Sequence, residues 1–141
     1  MTDFHALINI RLVQAQETIQ EAKLLLEHKQ SSRSVVNRSY YACFYAVLAL
    51  FVSKHLNITT SKHIGVISMF DKEFILSGAM DKKYSEYLHR LFLARQQGDY
   101  KAITVDLDSQ DAKRLLDCAG DFVNQIKKMV TTNDDRRETK D

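Results

Sequence analysis

The sequence predicts an all-α fold, an antiparallel bundle of about five helices. Three observations carry this: proline is absent, glycine occurs only four times in 141 residues, and long stretches repeat apolar residues at three- and four-residue steps. A many-stranded sheet needs turn residues that this chain lacks, and such periodicity marks a helix with one face buried. With 45% hydrophobic residues the chain can build a sizeable core, and its length suits one domain. That domain is expected over residues 1–130, followed by a disordered tail, 131–141, that has no apolar anchor.

The first helix is expected from Phe4 to His28, with Phe4, Leu7, Ile8, Leu12, Ala15, Ile19, Ala22 and Leu26 on its apolar face. Serines at 31 and 32 can cap a second helix running from about Ser32 to Lys54. After Ser39 that helix has almost no polar face, so neighbours must cover it on most sides. Its apolar run, Tyr40 to Val52, falls short of the roughly 20 residues a membrane span needs, which predicts a core helix and no membrane. Thr59, Thr60 and Ser61 offer caps for a third helix that ends near Gly78, a residue suited to a left-handed C-terminal cap. Asp81 can cap a fourth helix through Arg95, and a fifth begins near Asp108 or Ser109 after the long loop GDYKAITVDLDS.

Charge excludes some functions and selects none. Twenty Lys and Arg against 18 Asp and Glu give a net +2, well below the basic bias of a dedicated nucleic-acid coat. Lys127, Lys128, Arg136 and Arg137 lie too near Asp134 and Asp135 to make a nucleic-acid arm. Cys43 and Cys118 have no ligand-spaced Cys or His beside them, and His5, His28, His55 and His89 share no i, i+4 spacing, so no metal or other cofactor is expected. The two thiols read as reduced and buried, in a cytoplasmic protein without a secretory leader.

Three stretches, NRSYYACFYAVLAL at 37–50, SKHIGVISMFDKEFILSG at 61–78 and LFLARQQGDY at 91–100, occur in an order and spacing that resemble the HEPN domain. They are similar to that family's patterns N-R-x-Y-Y-A-x-F-[HY], K-x-H-x-G-V-I-x-x-F and R-x-x-x-D-Y in its small stand-alone prokaryotic branch. The resemblance covers most of residues 30–125. It implies a helical bundle that forms a homodimer and often pairs with a minimal nucleotidyltransferase in a two-component, toxin-antitoxin-like system. Many members are metal-independent ribonucleases that combine an arginine with a histidine a few residues later, in a site shared by two subunits.

In this chain Arg38 matches the motif arginine, and Tyr45 stands where active members carry histidine. At about 100° per residue, Arg38, Tyr41 and Tyr45 lie on one helix face. Cleavage through a ribose 2′-hydroxyl needs a group that exchanges protons near neutral pH and a fixed positive charge for the phosphorane-like transition state. Arg38 suits the charge. Tyrosine, titrating at about 10, is a poor base at pH 7, whereas histidine at about 6.5 is a good one. Whether the chain is an enzyme is therefore left open, with His63 of the second motif available to supply the imidazole that position 45 lacks.

Each residue also has a plainer reading. Arg38, with Asn37 beside it, can anchor a carboxylate at a helix or dimer interface. Tyr40 and Phe44 read as core aromatics, His63 as a hydrogen-bonded residue near a helix end, and Arg95 with Asp99 as a local ion pair next to Tyr100. Three functions follow: a partner of a minimal nucleotidyltransferase that binds nucleotide or RNA through Asn37, Arg38, Tyr41 and Arg95; an active ribonuclease toxin using Arg38 with Tyr45 or His63; and a non-catalytic dimeric assembly module.

Overall fold

The structure, a computed structural model, describes residues 3–58, 62–99 and 107–139, with side chains for 4–58, 62–96 and 107–131. Five helices follow one another: α1 (Asp3–Glu27), α2 (Ser32–Ser53), α3 (His63–Phe70), α4 (Lys82–Asp99) and α5 (Ser109–Thr139). No strand occurs among the described residues, so the all-α expectation holds.

Local chemistry sets the helix ends. Ser31 Oγ accepts the Ser34 N–H at the start of α2, and Asp81 Oδ1 accepts the Lys83 N–H, 2.8 Å, at the start of α4. At α5 two aspartates cap reciprocally: the Asp111 N–H donates to Asp108 Oδ1 at 2.7 Å and the Asp108 N–H to Asp111 Oδ2 at 3.3 Å. α1 closes with Lys29 in the left-handed region (φ 53°), Lys29 N–H bonding to Leu26 O and Gln30 N–H to Leu25 O. His55 (φ 56°) repeats that paired closure after α2. Gly78, at φ 84°, ends the segment after α3 as the sequence led one to expect.

α2 is the axis of the bundle, packed chiefly on α1 and then on α5 and α4. The short link to α1 makes that pair antiparallel. Tyr40, Val47, Leu50 and Phe51 are fully buried along it. Below its C-terminal half, Phe70 packs on Phe122 (5.5 Å between ring centroids) and on Phe74, which stacks on Phe51. The buried hydroxyls of Thr18, Ser39 and Ser53 each donate to a carbonyl of their own helix, so none of these three is left unsatisfied. α2 alone among the described residues has the length and hydropathy of a membrane span, but most of its surface is taken up by the bundle.

Three details differ from the expectations, and a fourth expectation falls outside the described residues. Phe4 and Leu7 are exposed, because the stripe of α1 that meets α2 begins at Ile8. The third helix is not uniform: after Phe70 it widens into a π-helical turn, Asp71–Ile75, before Gly78. α5 stays helical to Thr139, past Val130 where its apolar periodicity stops. The caps expected at Thr59, Thr60 and Ser61 lie outside the described residues, and Lys62 at the N-cap position of α3 makes no side-chain cap.

Candidate functional site

Arg38 sits two turns into α2, where Asn37 Oδ1 accepts from its Nε at 3.3 Å and its Nη2 at 3.1 Å. Its Nη1 is 3.9 Å from Glu21 Oε2 on α1. With a third of the Arg38 side chain exposed and over half of Glu21's, that pair is weak and screened. The plainer reading of Arg38 as an anchored interface residue therefore finds only a loose carboxylate.

One turn on, the Tyr41 ring lies 5.4 Å from the Arg38 guanidinium and 5.1 Å from that of Arg95, which α4 brings across. Arg95 also stands 5.3 Å from the Tyr40 ring. Aromatic faces attract guanidinium ions, so one tyrosine ring lies near two positive charges. Tyr45 continues the row, its ring 6.1 Å from that of Tyr41, and its hydroxyl makes no hydrogen bond among the described residues.

His63, the first residue of α3, closes the group. Its ring stacks on Phe44 at 4.2 Å and 9°, meets Tyr41 edge-on at 5.8 Å, and places Nδ1 2.7 Å from the Tyr40 hydroxyl. Burial and then the Arg95 charge lower its pKa from 6.5, so the imidazole is neutral at pH 7. Burial pushes the Tyr40 phenol up, a shift that the Arg95 charge only partly opposes. The site thus combines two fixed cations, a neutral imidazole and three tyrosines, which suits an anion carrying a flat apolar group.

Of the residues singled out from sequence, Asn37, Arg38, Tyr41, Tyr45, His63 and Arg95 come together here. The Asp99 side chain and Tyr100 lie outside the described residues. Phe44 is a packing residue that also seats His63. Tyr40 is core, as expected, but its hydroxyl is a polar group of the site that sequence reasoning missed. The signal was a tyrosine, not a phenylalanine, in an otherwise apolar run, since a buried phenol needs a partner. Among the described residues no three His, Cys, Asp or Glu side chains are grouped to hold a metal ion. A groove of about 730 Å³ between α1 and α5, lined in part by Lys23, Leu24, Gly120 and Asn124, contains none of the site residues.

Fold and site together define a class: an all-α bundle with a cationic, aromatic cluster at the junction of its second, third and fourth helices. The HEPN-domain profile matches residues 8–129, and the chain belongs to the HEPN family. A UPF0332 protein of Thermotoga maritima is 37% identical over 82% of this chain and 85% of its own. Two Methanocaldococcus jannaschii proteins are each 35% identical: "Putative toxin MJ0142", over 85% of this chain and 80% of its own, and "Putative toxin MJ0605", over 91% and 89%.

Proposed function

We propose that this HEPN protein is the toxin-like member of a two-component system, a cytoplasmic homodimer that binds RNA or a nucleotide and pairs with a minimal nucleotidyltransferase. One observation carries the binding half: Arg38 and Arg95 share the Tyr41 ring, with a neutral imidazole beside them. Guanidinium forks bind phosphate oxygens in pairs, and the tyrosine rings of the row offer faces for a base. The toxin half draws support from the names of the two archaeal relatives. The test is equilibrium binding of a labelled single-stranded RNA. Arg38→Ala should weaken it about tenfold or more, the worth of a charge-assisted hydrogen bond. Equal affinity in both proteins sinks the binding claim, and absence of a complex with the neighbouring gene's product sinks the partnership.

The position of His63 favours a second reading, metal-independent RNA cleavage. Arg38 and Arg95 would stabilise the phosphorane charge while His63 or Tyr45 moves protons. Expression should then arrest growth and cut transfer or messenger RNA, and Arg38→Ala should abolish both. RNA left intact by the wild-type protein rules the reading out. In the assembly-module alternative, Arg38→Ala would instead change oligomeric state and leave RNA affinity as it was.

A further inference from the structure

We infer that Tyr40 is a positioning residue: its hydroxyl donates to His63 Nδ1 and fixes the imidazole with the proton on Nε2, so that His63 serves the site as a neutral N–H donor to a phosphate or base oxygen. The inference rests on the reading that this site binds RNA or a nucleotide, and it separates that reading from cleavage through His63.

The argument begins with the 2.7 Å contact between Tyr40 Oη and His63 Nδ1. Either atom can donate. A phenol is the better donor, however, and a neutral imidazole nitrogen the better acceptor, so the O–H donates to Nδ1. Tyr40 is fully buried, and His63 Nδ1 is the one hydrogen-bond partner of its hydroxyl among the described residues. If Nδ1–H were the donor, the phenolic proton would have no acceptor in the core, a cost that burial makes full. Nδ1 is thereby occupied, and the ring proton resides on Nε2.

Nε2 lies on the other edge of a ring that is only partly buried, and it has no partner among the described residues. Phe44 stacks flat on the ring and favours this orientation. The charged and titratable groups that face His63 are Tyr40 and Tyr41 from α2 and Arg95 from α4. No carboxylate of the described residues is among them, so none of these stabilises an imidazolium. An imidazole with Nδ1 engaged and Nε2 protonated has no free lone pair to take a 2′-hydroxyl proton. It can donate a hydrogen bond to an oxygen held by Arg38 and Arg95.

Nitrogen-15 correlation spectra of the histidine rings, recorded on the RNA-free protein from pH 5 to 8, test this. The expected result is a His63 ring with the proton on Nε2 and an Nδ1 signal shifted by an accepted hydrogen bond. Tyr40→Phe should then mix the two tautomers, raise the His63 midpoint toward 6.5 and weaken RNA binding about threefold. A wild-type ring protonated on Nδ1 overturns the proposal, as does a Tyr40→Phe spectrum identical to wild type. If Tyr40→Phe does not fold, the wild-type Nδ1 shift decides by itself. Because the tautomer is read without RNA, an Nε2–H ring in a protein that binds no RNA would sink the proposed function and leave the tautomer assignment standing.

Discussion

Arg38 and His63 differ in how their surroundings treat charge, and the difference gives each its role. Arg38 is held by an amide oxygen and an aromatic face, with only the exposed, loosely paired carboxylate of Glu21 opposing its charge. His63 is kept neutral by burial and by Arg95. The sign of its effect on stability follows: its folded-state pKa is lowered, so in the acid range the unfolded chain binds more protons than the native one. This contribution is fully present above about pH 6.5 and declines as pH falls below it toward the lower folded-state value. Denaturant unfolding at pH 7 and pH 5 should show that loss, and His63→Gln should reduce the difference between the two pH values. An unchanged difference would mean that the imidazole is not held neutral. The row Arg38, Tyr41, Tyr45 was legible in the sequence because helix geometry alone places residues three, four and seven apart on one face. The bond from Tyr40 to His63 was not, since it joins residues 23 apart and depends on how α3 docks on α2.

Among the elements, the helix ends were the most legible part, and for the same reason: a cap is local. Ser31, Asp81 and Asp108 bond to amides two or three residues on, so a short stretch of sequence contains the whole interaction. The π-helical turn was not legible, because tertiary contacts hold it. Asp71 at its start accepts from Ser85 Oγ at 2.8 Å and pairs with His89 Nε2, both on α4, while Phe74 is drawn into the core against Phe51 and Phe70. The closures after α1 and α2 also escaped notice, since lysine and histidine stand where glycine is usual. A side chain at φ 53° carries a steric cost that glycine avoids, partly offset by glycine's greater freedom when unfolded. Lys29→Gly should therefore stabilise the protein by up to about 1 kcal/mol in chemical denaturation. A clear loss of stability would show that the Lys29 side chain contributes more than the strain it imposes.

For the molecule as a whole, one core joins all five helices, and the site is a rim of that core. Tyr40 packs on Phe92 and Phe44 while it bonds His63, so the site is positioned by the same contacts that hold α2 against α4. Phe122, fully buried against Phe70 and Tyr84, lies in an aromatic cluster apart from the site residues. Phe122→Ala should cost about 3–5 kcal/mol, seen as a lower denaturation midpoint, and under native conditions the folded fraction should still bind RNA with wild-type affinity. Selective loss of binding at full folding would mean that site and core are more tightly coupled than the packing implies. The central claim is that Arg38 and Arg95 together hold phosphate. The most direct measurement is the salt dependence of RNA affinity for the wild type, Arg38→Gln, Arg95→Gln and the double variant. If each arginine neutralises one phosphate, the slope of log affinity against log salt should fall by about 0.7 for each single variant and about 1.4 for the double. Slopes that match wild type in all three variants would contradict the account.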